Sequence, residues 1–321
     1  MSAWRGARVL VTGAAGFLGA HLVRRLAREG ATVYAVDRTI REGAQDVAWH
    51  RADLEDRGAL TSLLARLKPE TVLHVAGRVD LARTPEITDA CIRENVHATA
   101  NLLWALEGSP LKAFVLTSTT EVYGRNRAPF HEEQPIDPPS PYAISKVAAE
   151  QLCRFFHEAR GYPTAVLRLS TVYGPGQAEA RLIPSVIRAV LAGQPLAMTS
   201  GEQRRDFVYV DDAIDGVLRA ALEPAARGHV INLGHDRPVS LRELVETIRT
   251  LMRADWAPSY GALSSRSGEA ASWSCDGRKA KAVLGWEPRT RLEEGLASTI
   301  AAYRTALAQD EARETLTAAE R

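Results

Sequence analysis

Apolar residues along the chain fall into short continuous runs separated by longer stretches with helical spacing. Residues 8–12 (RVLVT) form the first run, and glycines follow it. Residues 17–28 then place Phe17, Leu18, Leu22 and Leu26 along one helical face, which Gly30 ends. The same reading predicts strands over 31–36, 47–51, 71–75, 113–118 and 164–169. It predicts helices over 60–67 (stopped by Pro69), 87–106 and 142–160. These strands are apolar throughout rather than alternating, as strands of a parallel sheet covered on both faces are. Strand–helix repetition of this kind predicts an α/β fold: a Rossmann-type doubly wound parallel sheet with helices on both faces. After Tyr173-Gly174-Pro175-Gly176 the elements shorten and prolines intervene. Residues 1–175 are therefore expected to form a dinucleotide-binding domain, and 176–321 mainly a smaller α/β substrate lobe. Within that lobe 261–268 is expected to be a loop and 292–321 a solvated terminal helix.

At 321 residues the chain can bury a large core without disulfide or metal staples. Forty basic and 39 acidic residues leave a net charge of +1, so there is no broad basic face for nucleic acid and no polybasic membrane patch. No apolar run approaches the ~18 residues of a membrane span. Cys91, Cys153 and Cys275 are odd in number and far apart, which points to a reducing compartment. The first eight residues carry no apolar signal core, so a cytoplasmic protein is expected. The histidines show no metal-ligand spacing, and no metal is expected.

Gly13, Gly16 and Gly19 recur at three-residue spacing between the first strand and helix. The first permits a tight turn, the second a close backbone approach to a pyrophosphate, and the third close packing of helix on sheet. The helix N-terminus supplies N–H groups to the anion. Asp37 ends the second strand, where a carboxylate accepts from the ribose hydroxyls and repels a 2′-phosphate. NAD is thus favoured over NADP, a preference that the adjacent Arg38 weakens slightly.

Tyr142 and Lys146 lie four residues apart at the start of a helix, on one face, behind Pro141 and a possible Ser140 cap. A phenol is a poor base at neutral pH, with a pKa of ~10. A neighbouring ammonium and a cationic nicotinamide would lower it, allowing Tyr142 to take a proton from a sugar hydroxyl. A surface Tyr–Lys pair would have the same spacing. Ser118-Thr119-Thr120-Glu121, however, follows a parallel strand at its C-terminal end, where ligands of open α/β sheets bind. Thr119 could there hydrogen-bond the reacting oxygen.

In this order the glycine turn, the hydroxyl strand end and the Tyr-x-x-x-Lys pair resemble the extended short-chain dehydrogenase/reductase family, in its nucleotide-sugar epimerase/dehydratase branch. Asp53-Leu54 resembles the family's adenine-contacting pair, and His74-Val75-Ala76-Gly77 its cofactor-contacting segment. Asn95, the stretches 168–175 and 201–212, and Leu284-Gly285-Trp286-Glu287-Pro288 are further similarities, which together span about residues 6–305. The resemblance implies NAD held by Gly13, Gly16, Phe17, Leu18, Gly19, Asp37, Arg38, Asp53, Leu54, Ala76, Gly77, Tyr142 and Lys146. It implies Thr119, Tyr142 and Lys146 as the catalytic set, and Arg205 on a phosphate of a UDP- or dTDP-linked hexose, contacted also by Thr120 and Thr171.

The implied chemistry is oxidation at C4 of the hexose to a transient ketone. A 4-epimerase then needs no further base. A dehydratase, or a hexuronate decarboxylase, needs a carboxylate to act beyond C4, and Glu121 stands where the branch carries one. Thr120 departs from the Asp that serves as acid in 4,6-dehydratases, and Thr171 from a common Asn. The Thr-Val-Tyr-Gly-Pro stretch is similar to that of epimerases of nucleotide-linked hexuronates. Those enzymes carry an Arg shortly afterwards, and here Arg181 follows slightly later. Four-epimerisation is the preferred reading. The resemblance also implies a homodimer through the helices over 87–106 and 142–160, with Leu152, Phe155 and Phe156 offering an apolar patch.

Overall fold

A computed structural model describes residues 2–40, 47–264 and 270–319, with side chains as far as residue 309. The first half runs β1 (Arg8–Thr12), α1 (Phe17–Arg28), β2 (Thr32–Asp37), β3 (Val47–Arg51), α2 (Arg57–Leu67) and β4 (Thr71–His74). It continues through α3 (Pro85–Cys91), a π turn (Ile92–His97), α4 (Ala98–Ala105), β5 (Ala113–Thr119), a 3₁₀ turn (Thr120–Tyr123), α5 (Pro141–Arg160) and β6 (Thr164–Leu169). The second half holds β7 (Thr171–Tyr173), α6 (Leu182–Ala192), β8 (Arg204–Arg205), β9 (Phe207–Tyr209), α7 (Val210–Leu222) and β10 (Val230–Leu233). β11 (Val239–Ser240), α8 (Leu241–Met252), β12 (Ser272–Trp273), α9 (Arg278–Leu284) and α10 (Leu292–Ala319) complete it.

Seven parallel strands form one sheet in the order β10-β6-β5-β4-β1-β2-β3. The chain builds outward from β1 in both directions, so a crevice opens between β1 and β4 at their C-terminal ends. One core, including Leu22, Leu26, Val217 and Trp286, packs on one face, and a second, including Leu64, Leu102 and Phe156, on the other. Helices on both faces explain the unbroken apolarity of the strands.

Local differences from the predicted elements have capping causes. α2 begins early because Asp56 accepts from the backbone N–H of Ala59 at 2.9 Å. The helix expected over 87–106 starts at Pro85, behind a Thr84 cap, and carries the π turn in its middle. Residues beyond 175 return to the main sheet: β10 pairs with β6, and α7 packs into the core beneath it. Two small sheets, β11-β8-β12 and β7-β9, stand beside it. Part of the expected loop at 261–268 lies outside the described residues. The terminal helix begins at Leu292, where its first turns are part of the fold, with Leu296 and Ile300 buried.

Candidate active site

The turn after β1 sets the first wall of the site. Gly13 has a φ of +67°, and a Cβ there would stand 2.7 Å from the backbone of Ala76. A Cβ on Gly19 would overlap the carbonyl oxygen of Gly13, which brings α1 hard against the turn. α1 starts at Gly16 without a side-chain cap and with no acidic residue in its first turn. Within that first turn no acidic side chain competes for its N–H groups and dipole. Gly13, Gly16, Asp37, Arg38, Asp53, Leu54, Ala76 and Gly77 line one cleft at the sheet's switch point. Gly19 acts beneath it, through packing. Phe17 and Leu18 pack half-buried on the core below, with the Phe17 ring edge-on to His21. Asp37 accepts from the N–H groups of Ala15 and Thr39, each at 3.0 Å, which ties the carboxylate to the glycine turn.

His74 supports the opposite wall. Its ring lies between the hydroxyls of Thr12 (2.7 Å) and Thr99 (3.0 Å). Burial, with some help from the Lys146 charge, pushes its pKa down to about 3, so it stays neutral. Asn95 accepts from the Arg78 N–H at 2.7 Å and donates to the Ser145 hydroxyl at 2.8 Å, joining the loop after β4 to α5. Asn95 lies in the π turn and is its buried residue.

Thr119 ends β5 and Tyr142 lies in the first turn of α5, near enough for the Thr119 hydroxyl to favour the ionised phenol. Lys146 lies one turn further on and is buried, with its Nζ beside Gly77. Burial lowers its pKa to about 8, against the pull of Glu150. The effect on Tyr142 differs from the expectation. Burial raises the phenol's pKa, and Glu121 pushes it the same way, whereas Thr119 and Arg181 oppose this. The protein's own charges therefore keep Tyr142 protonated, because a desolvated phenolate beside a carboxylate is costly.

Glu121 is itself buried and accepts from Ser140 Oγ at 2.5 Å. Thr120, in the same 3₁₀ turn, is buried, and Thr171 is held by its N–H to the carbonyl of Asp206 at 3.0 Å. Arg205 lies on β8 with its guanidinium over the Trp273 ring, 4.4 Å from the centroid, and donates to the carbonyl of Arg204.

Two groups behind the site carried no signal beyond their motifs. Glu150 forms a buried two-pronged pair with Arg168, at 3.1 and 2.7 Å, and accepts from Ser118. Arg168 continues to the Tyr123 hydroxyl, which donates to Asn232 on β10. Asp206 accepts from the N–H groups of His235, Asp236 and Cys275, and so fixes the segments after β10 and β12 against β9.

A parallel sheet with a glycine turn at its switch point, and a hydroxyl, a phenol and an ammonium at the strand ends, defines a dinucleotide-dependent enzyme of the Rossmann class. The chain belongs to the NAD dependent epimerase/dehydratase family, whose description its residues 9–234 match, and its cofactor is NAD. It is similar to a UDP-glucose 4-epimerase of Mycolicibacterium smegmatis, at 33% identity over 92% of this chain and 98% of that one. It is equally similar, at 33% identity over 92% and 93%, to a dTDP-glucose 4,6-dehydratase of Xanthomonas campestris. The structure resembles a UDP-glucuronic acid 4-epimerase of Bacillus cereus solved with UDP-glucuronic acid and NAD, with a TM-score of 0.85, 28% identity, and coverage of 93% and 99%.

Proposed function

We propose that the chain epimerises a nucleotide-linked hexose at C4, with Thr119, Tyr142 and Lys146 as its catalytic residues. The observation that carries this reading is Lys146 Nζ set beside Gly77 on the cofactor cleft, one helical turn from Tyr142 and with Thr119 at the neighbouring strand end. NAD, when bound, supplies the hydride acceptor and donor and a positive charge near the phenol. Tyr142 removes the proton of the C4 hydroxyl, and Thr119 holds that oxygen. Lys146 carries the positive charge that the phenolate requires. The ketosugar then presents its other face, and Tyr142 returns the proton.

The Ser140 bond to Glu121 supports epimerisation over dehydration, because it uses the carboxylate to hold the start of α5. Dehydration with Glu121 as base is the second reading, favoured by the influence of its charge at Tyr142. Nuclear magnetic resonance of UDP- and dTDP-hexoses incubated in deuterated water separates the two. Epimerisation yields the C4 epimer with no deuterium at C5. A stable keto product labelled at C5 would sink the epimerase reading.

Arg181 directly precedes α6, donates to the Val79 carbonyl at 3.2 Å, and its charge acts on Tyr142. A hexuronate, its carboxylate facing that guanidinium, is the alternative substrate to the hexose. An Arg181→Met variant should lose hexuronate turnover far more than hexose turnover. Residues 176–321 are assigned mainly to the nucleotide sugar, with Arg205 on a phosphate and Thr120 and Thr171 on the sugar. The support is a guanidinium preset by Trp273.

A homodimer through the helical run from α3 to α4 and through α5 completes the reading. Phe156 is in the core against Trp104, so it is not part of the expected patch. Ile144 and Phe155 remain half-exposed, eleven residues and thus about three helical turns apart on α5. Light scattering should give twice the chain mass. Among the described residues no helix is long and apolar enough to cross a membrane, and all three cysteines are free and buried, which supports a cytoplasmic site.

A further inference from the structure

The adenosine end of the cleft holds a chain of polar contacts that the chemistry at C4 does not use. Asn95 clamps the backbone of Arg78, accepting from its N–H at 2.7 Å and donating to its carbonyl at 3.1 Å. Arg78 grips one oxygen of Glu94 with Nε and Nη2, at 3.0 and 2.7 Å. The other oxygen of Glu94 accepts from Nη2 of Arg38 at 3.0 Å. Glu94 is largely buried, at 15% side-chain exposure, while Arg38 is 59% exposed. An exposed guanidinium is thus tethered to a carboxylate that is itself pinned from behind.

Arg38 follows Asp37, the acid at the ribose position. An arginine there is the group that accepts a 2′-phosphate in NADP-using sites. Asp37, Asp53, Glu55 and Glu94 line this cleft with Arg38, so among the described lining residues one guanidinium faces four carboxylates. Asp37 alone opposes a 2′-phosphate by charge, but a free guanidinium next to it would offset much of that repulsion.

We propose that Glu94 is a specificity-determining residue: it enforces the preference for NAD over its 2′-phosphorylated form by holding Arg38 off the ribose phosphate position. Arg78 and Asn95 are positioning residues that act through Glu94. The proposal rests on NAD as the cofactor and goes beyond it in naming what excludes the alternative.

Calorimetric titration of NAD and NADP into one preparation of each variant tests it, independently of turnover. Glu94→Gln keeps the side-chain shape and removes the charge. It should tighten NADP binding about two- to fivefold, the scale of an exposed ion pair, and leave NAD within about twofold. Adding Arg38→Met to Glu94→Gln should abolish that gain. In the otherwise unchanged protein, Arg38→Met should leave the ratio of the two dissociation constants within about twofold. This last arm does not depend on the Glu94 variant folding. An unchanged ratio in Glu94→Gln, a gain that survives loss of Arg38, or weakened NADP binding in Arg38→Met alone would overturn the proposal. Failure of the unchanged protein to bind either nucleotide would overturn the cofactor assignment and this proposal with it.

Discussion

The carboxylate of Glu121 accepts a 2.5 Å hydrogen bond from Ser140, and the Ser140 hydroxyl in turn caps α5 by accepting from the N–H of Ala143 at 3.1 Å. Glu121, two residues past the end of β5, thereby sets the first turn of the helix that carries Tyr142. The same carboxylate raises the pKa of the phenol. Glu121→Gln keeps a hydrogen-bond acceptor for Ser140 and removes the charge. The Tyr142 pKa should fall, and the acid limb of the pH–rate profile should move to lower pH. If Glu121 is the base of a dehydration, the variant would instead lose the reaction at every pH.

Ser140→Ala removes both the cap and the donor to a buried carboxylate. Urea denaturation should show a loss of about 1–3 kcal/mol. Catalysis should weaken as well, because the first turn of α5 is then no longer held against Glu121.

Lys146 shows a conflict between folding and function. Its pKa is about 8 in the fold and about 10.5 when unfolded. Between those values the unfolded chain holds the proton and the folded chain does not. Stability from this group should therefore rise with pH across that window, and be lowest below about pH 8, where the buried ammonium is charged. Turnover should fall over the same rise, as the cation beside Tyr142 is lost. Lys146→Met should be inactive yet more stable at pH 7, by about 3 kcal/mol in a denaturant series.

Arg168 and Glu150 are both almost fully buried. Arg168→Met would leave the Glu150 carboxylate without its two-pronged partner. The expected loss is about 3–5 kcal/mol in thermal or urea unfolding. Adding Glu150→Gln should recover part of that loss, since the uncompensated charge is then gone.

Gly19→Ala tests the close approach of α1 to the glycine turn. Its Cβ would collide with the Gly13 carbonyl and stand 2.7 Å from Cα of Ala14, both backbone atoms that cannot move cheaply. The variant should lose NAD binding in calorimetry and unfold at lower temperature. Gly108→Ala is the control: its Cβ would meet no atom within 4 Å, though its φ of +77° carries a smaller strain.

Much of the sheet was legible from local pattern. Residues 8–12 and 164–169 are continuous apolar runs, and each became a strand with the predicted bounds. The return of β10 to the sheet was not legible. Val230–Leu233 is four residues long, and nothing local says whether such a run pairs with β6 or with a small sheet. The π turn at Ile92–His97 was hidden for a related reason: its residues suit an α-helix, and the extra residue per turn reflects what Asn95 must reach.

The order of residues along the chain determined the Rossmann architecture, the glycine turn, and which side chains would meet at the strand ends. Periodicity and glycine placement are local properties that survive without knowledge of distant neighbours. Tertiary structure alone decided the electrical state of those side chains. Burial and the position of Glu121, rather than the nearby Lys146, dominate the Tyr142 phenol, and Arg78 and Asn95 orient the carboxylate that holds Arg38. A charge's effect depends on its distance and desolvation, and both arise only when separate segments pack together.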